Sequence, residues 1–92
     1  MQSNESKIMN KFASVYLENI VSEKKDENSQ KFNEIFDNSI NALDNYEKDI
    51  ILNNYIYKND GLNFKYSRAT YFRHQKSAVN HFLDVFIREA YG

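Results

Sequence analysis

The side chains of this chain that are best suited to chemistry lie between residues 65 and 77, and they are cationic or hydroxyl-bearing. An arginine can hold the edge of a guanine with two hydrogen bonds, and the methyl group of a threonine can meet a thymine. Lysine and serine side chains bind phosphate oxygens. We expect DNA binding to depend most on Arg68, Thr70, Arg73 and Lys76, of which Lys76 could hold a phosphate, with further phosphate contacts from Lys65, Ser67 and Ser77.

These residues need a helix to present them, and the pattern predicts one over about residues 67–90. Ser67 can cap its first turn, because a serine hydroxyl accepts one of the first unpaired amide hydrogens. One face of this helix, expected to pack on the rest of the domain, comprises Tyr71, Gln75, Ala78, Val79, Phe82, Phe86 and Ala90, widened by Leu83 and Ile87. Arg73 and Lys76 fall on the other side. The alternative is that these cations are only the solvated side of an amphipathic helix.

Residues 67–82 read Ser-Arg-Ala-Thr-Tyr-Phe-Arg-His-Gln-Lys-Ser-Ala-Val-Asn-His-Phe. Together with the helix predicted before them, they resemble the C-terminal helix-turn-helix of ArpU-like phage transcriptional regulators, which in turn resemble sigma-factor region four. The resemblance covers residues 44–86. The matching positions are Ser67, Thr70, Tyr71, Phe72, Arg73, Lys76, Ala78 and Val79. It implies an all-α fold whose last helix enters the major groove of double-stranded DNA, in a phage or mobile-element regulator of transcription.

One segment departs from the family pattern. Family members place a short helix between the two matching pieces, whereas residues 58–66 give nine residues here, interrupted by Gly61. A glycine tolerates the left-handed backbone that ends helices. Three alternatives follow: the supporting helix has shrunk to one turn, the third helix takes its place, or the surface has lost DNA binding and serves a protein partner.

The remaining pattern predicts a small four-helix domain over residues 1–92, since the chain has no Pro and only two Gly. A first helix spans about residues 3–24 and buries Ile8, Phe12, Val15, Tyr16, Ile20 and Val21. A second spans about 29–43, with Ser29 as its cap and Phe32, Ile35, Phe36, Ile40 and Leu43 inside. A third runs from Asp44 or Asn45 to about Tyr57 and buries Tyr46, Ile50, Ile51 and Tyr55. Residues 1–43 would complete the core or form a dimer contact, and residues 44–92 form the helix-turn-helix-like half.

The charge is divided unevenly along the chain. Residues 1–50 carry six lysines and ten acids, and residues 51–92 carry six basic residues and three acids, which leaves a net charge of −1. A DNA-binding protein needs its positive charge only on the docking face. The acids Glu23, Asp26 and Glu27 are expected to be solvated in a loop with two lysines, because they lack the spacing of a calcium loop.

Other kinds of function find little support in the sequence. His74 and His81 are two helical turns apart, too far to share a metal ion, and we expect both at the polar boundary. There is no cysteine, and no motif places a nucleophile beside a base. We therefore expect no metal, no cofactor and no enzymatic activity. With no apolar run of about 20 residues and no signal peptide, a cytoplasmic location is expected.

The aromatic residues leave a second function open. Phe12, Phe32, Phe36, Tyr46, Phe82 and Phe86 fall on the helical stripes and are expected in the core. Tyr55, Tyr57, Leu83, Ile87 and Tyr91 exceed what a small core needs and could form a homodimer seam. The alternative function is a small regulatory module that captures a transcription factor or another protein without binding DNA.

Overall fold

The structure, a computed structural model, describes residues 4–22, 26–57 and 68–91; the side chains of residues 68 and 69 are outside that description. Its helices are α1 (Asn4–Val21), α2 (Glu27–Asn41), α3 (Asn45–Ile51) and α4 (Arg68–Tyr91), and a π turn, Leu52–Ile56, continues α3. The described ranges contain no strand, so the predicted all-α class is confirmed. The cap predicted at Ser67 lies outside the described residues.

Helix α1 is rotated relative to the predicted stripe and is shorter. The prediction buried Ile8, Ile20 and Val21, but all three are exposed, and Val21 is 80% exposed at the end of the helix. The side chains that face the core are Met9, Phe12, Ala13 and Tyr16. Apolar residues occupy two neighbouring faces of α1, so spacing alone allowed either rotation. The rings of α2 and α4 that Phe12 and Tyr16 contact select the observed one.

Helix α2 begins earlier than predicted because a different residue caps it. The carboxylate of Asp26 accepts the backbone N–H of Ser29 at 2.7 Å, so Ser29 lies in the first turn and the predicted cap is wrong. Aspartate is one of the strongest N-cap residues. The same hydrogen bond lowers the pKa of Asp26 below its usual range. Asp26 and Glu27 are exposed, as expected for solvated acids, but Asp26 caps α2 and Glu27 lies in the first turn of α2 rather than in a loop.

Helix α3 starts with the predicted capping box. The backbone N–H of Glu47 donates to Asp44 Oδ1 at 2.7 Å, and Glu47 Oε1 accepts from the N–H of Asp44 at 3.4 Å. The helix then widens, and the N–H of Tyr57 donates to the carbonyl of Leu52, five residues earlier, at 2.8 Å. Tyr55 of this π turn is 4% exposed, which confirms it in the core and excludes it from a dimer seam.

Five phenylalanine rings form the centre of the core. Phe36 and Phe82 lie 4.9 Å apart between centroids, and Phe86 lies 4.8 Å from Phe12 and 5.4 Å from Phe32. Ala78 and Val79 of α4 are buried as predicted. Leu83 packs against the core, whereas Ala90 and Tyr46, both predicted inside, are exposed. Ala90 lies in the last turns of α4, and Tyr46 lies in the first turn of α3.

Polar side chains connect α1 to α2 beside this core. The hydroxyl of Tyr16 donates to Asp37 Oδ1 at 2.7 Å, and Asn19 Nδ2 donates to Asn33 Oδ1 at 3.0 Å. Burial, together with Asp37 as hydrogen-bond acceptor and negative neighbour, raises the pKa of Tyr16 to about 12. Tyr16 therefore remains a hydrogen-bond donor throughout the neutral pH range.

Candidate nucleic-acid interface

The first half of α4, residues 68–79, is held from behind by hydrogen bonds between side chains. Asn54 of the π turn donates from Nδ2 to the hydroxyl of Tyr71 at 2.5 Å and to the carbonyl of Ile50 at 2.7 Å. Gln75 donates from Nε2 to the hydroxyl of Tyr55 at 3.2 Å. That hydroxyl also lies 3.0 Å from Ser6 Oγ of α1. Hydrogen bonds are directional, so these contacts restrict the rotation of α4 as well as its position.

A second set of contacts joins α4 to the start of α3. The ring of His74 meets that of Tyr46 edge-on, with centroids 5.2 Å apart. His81 Nδ1 lies 3.0 Å and 3.1 Å from the two carboxylate oxygens of Glu47, the capping-box residue. His74 is half-buried and His81 is exposed, which agrees with their predicted place at the polar boundary. Among the described residues no cluster of His, Cys, Asp or Glu could hold a metal ion.

The predicted contact residues divide into those the structure describes and those it does not. Arg73, Lys76 and Ser77 are exposed, and Thr70 is half-buried. Their spacing of three and four residues puts them on the side of α4 opposite the buried face of Ala78 and Phe82. Arg68 is the first residue of α4, but its side chain is outside the description, and Lys65 and Ser67 lie wholly outside it. We call Thr70, Arg73, Lys76 and Ser77 the basic face.

Charge separates the basic face from the rest of the helix. No Asp or Glu occurs from residue 61 to residue 83, a stretch that carries Lys65, Arg68, Arg73 and Lys76. Within the described residues neither Arg73 nor Lys76 forms an ion pair. The first acid after this stretch is Asp84, which pairs with Arg88 at 3.0 Å. The second half of α4, residues 80–91, thus carries charges of both signs, and the first half carries only positive ones.

Two features of this region were not predicted. The π turn has no sequence motif, although the pair Asn53-Asn54 has low helix propensity and marks a weak point in the helix. Phe72 is 57% exposed beside the basic face. Its place off the apolar stripe of α4 was visible from spacing, but no role followed from that. The segment before α4, where a shortened supporting helix was one alternative, lies outside the described residues.

Comparisons of the whole chain with known protein families, with curated proteins and with solved structures found no match. The resemblance to ArpU-like regulators therefore remains a prediction carried by the residues quoted above. In the part of the chain that the structure describes, no helix is both long and apolar enough to cross a bilayer. The function has to be argued from the geometry of α4 and its supports.

Proposed function

We propose that the chain is a DNA-binding regulator of transcription, of phage or mobile-element type, that places the first turns of α4 in the major groove. The observation that carries this proposal is the basic face: two exposed cations on one side of a helix whose opposite side is fixed by hydrogen bonds. A recognition helix needs both properties, because its N-terminal residues have to reach base edges from a defined orientation.

The roles follow from the chemistry of each side chain. Arg73 and Arg68 would donate to the O6 and N7 atoms of guanine, and Thr70 would contact a base through its hydroxyl or methyl group. Lys76, Ser77, Lys65 and Ser67 would contact phosphate oxygens. Each phosphate neutralised by a cation releases counterions, which makes the affinity depend on salt.

Helix α3 with its π turn would take the part of the supporting helix. Its contacts with α4 through Asn54, Tyr55 and Glu47 support this assignment. A two-fold dimer would present two copies of α4 to half-sites about 34–36 Å apart. Tyr57, Ile87 and Tyr91 are the exposed residues of the predicted seam that could form such a contact.

Binding to mixed-sequence duplex DNA tests the proposal when it is followed across salt concentration. We expect log affinity to fall linearly with log salt, with a slope of about −0.9 for each phosphate neutralised. Replacing Arg73 and Lys76 with alanine should flatten that slope by about 0.9, for the one phosphate assigned to Lys76. The matched control replaces Lys11 and Lys31 with alanine. Both side chains are exposed, on α1 and α2, and the double substitution removes the same total charge. Equal slopes for the two variants would contradict the proposal.

The second candidate is a protein-binding module without a nucleic-acid role. The observation in its favour is the set of exposed apolar side chains, which includes Val21 and Tyr91 at the ends of α1 and α4. Aromatic residues such as Tyr91 are favoured at interface centres. Failure to bind duplex DNA even at low salt would favour this candidate over the first.

A further inference from the structure

Phe72 is the exposed aromatic residue that lies within the cationic part of α4. It is followed by Arg73 and lies one turn before Lys76, so its ring borders the basic face. The exposed tyrosines near α4 differ in position: Tyr46 lies in the first turn of α3 against His74, Tyr57 follows the π turn, and Tyr91 ends α4. A single exposed apolar side chain is ordinary on a protein surface. The position of Phe72 among cations distinguishes it.

The ring of Phe72 is also supported from behind. It meets the ring of Tyr71 at 6.1 Å between centroids and 69° between planes. The hydroxyl of Tyr71 accepts from Asn54, which is bonded in turn to the backbone of α3. Phe72 is therefore an apolar group presented by a braced part of the helix. Ordering it on binding costs little side-chain entropy, because a phenylalanine has only two rotatable side-chain bonds.

The major groove offers one apolar group to such a ring. Thymine carries a C5 methyl group on its major-groove edge, whereas the other bases present hydrogen-bond donors and acceptors there. A phenylalanine next to phosphate-binding cations can bury that methyl group. We propose that Phe72 is a specificity-determining residue that contacts a thymine methyl group at the edge of the basic face. This inference rests on the proposed binding of duplex DNA.

The test compares thymine with uracil, which lacks only the C5 methyl group. Duplexes with a random central segment are selected for binding to the full chain, and the enriched pool is synthesised with dTTP or with dUTP. We expect the preference of the unaltered protein for the thymine pool to fall about fourfold in Phe72→Ala, the effect of one buried methyl group. Ile20→Ala, the control, removes an exposed apolar side chain of α1 and should keep the full preference. Each ratio is taken within one protein, so partial unfolding of a variant does not alter it.

The outcomes separate this inference from the proposed function. Equal binding of both pools by the unaltered protein overturns the contact with thymine, as does a ratio that persists in Phe72→Ala. Salt-dependent binding without enrichment of any sequence overturns it as well and leaves the proposed function standing. Tighter binding to the single strands of the pool than to the duplex would replace the methyl contact by stacking on unpaired bases. Failure to bind any duplex at low salt overturns both.

Discussion

The first half of α4, residues 68–79, differs from the second half, residues 80–91, in what anchors it and in what it exposes. The second half is anchored by the buried rings of Phe82 and Phe86 and carries charges of both signs. The first half buries only the small side chains of Ala78 and Val79, and it is held as well by the hydrogen bonds that Asn54 donates to Tyr71 and Gln75 donates to Tyr55. Its exposed cations have no acid nearby in the sequence. Apolar burial has no preferred direction, whereas hydrogen bonds do.

This difference assigns separate tasks to two parts of one helix. The second half contributes most to the stability of the domain, since large buried rings dominate the energetics of small cores. The first half contributes less to stability but sets the direction in which Arg73 and Lys76 project. The buried face already selects the rotation of α4, and the directional hydrogen bonds narrow it further for those cations.

The largest expected effect comes from Phe82→Ala in the second half. Phe82 is fully buried and contacts Phe36 and Phe86. Removing its ring should lower the free energy of unfolding by about 3–5 kcal/mol, because transfer free energy is lost and a cavity remains. Urea denaturation measures the change. Phe72→Ala, which removes the same group from an exposed site, should stay within about 0.5 kcal/mol. Comparable losses for the two variants would break the comparison between the halves.

A smaller effect, confined to the first half, is expected for Tyr55→Phe. The change removes the hydroxyl that Gln75 and Ser6 share and leaves partly buried polar groups without this partner, at a cost of about 1–3 kcal/mol. Amide hydrogen exchange should then rise over residues 70–76 more than over residues 84–90.

The control for this variant is Tyr16→Phe. It removes a hydroxyl that is bonded to Asp37 between α1 and α2, so it should leave exchange in α4 unchanged relative to the overall loss of stability. If Tyr55→Phe speeds exchange evenly along α4, the first half is not held separately, and the proposed bracing of the basic face fails.

The sequence could predict the parts of this arrangement that depend on residues close together in the chain. The capping box of Asp44 and Glu47 and the buried face of α4 around Phe82 were predictable, because three-residue and four-residue spacing fixes both. The rotation of α1 was not predictable, since two apolar stripes compete and only the rings of other helices decide between them. Asp26 and Ser29, two capping residues three positions apart, competed in the same way.

The same distinction between short-range and long-range contacts holds for the candidate site. Spacing placed Arg73 and Lys76 on the outer side of α4, and the structure agrees. The supports behind them could not be predicted, because the π turn and the hydrogen bonds of Asn54 and Tyr55 join residues 17 and 20 positions apart in sequence. Such contacts depend on tertiary packing, which a local pattern does not contain.

The smallest expected effect comes from Asp84→Asn in the second half. This variant tests the difference in charge between the two halves of α4. Asp84 and Arg88 are 59% and 76% exposed in their side chains, and an exposed pair at this spacing contributes about 0.3–0.5 kcal/mol. The free energy of unfolding should therefore change by no more than that amount, as measured by urea denaturation. The slope of DNA affinity against salt should stay unchanged, because Arg88 lies beyond the helical turns proposed to enter the groove.

Glu89→Gln makes the same change of charge without breaking the pair of Asp84 and Arg88, and it serves as the control. If Asp84→Asn steepens the slope by about 0.9 and Glu89→Gln does not, the released Arg88 binds a phosphate, and the second half shares the task assigned to the first.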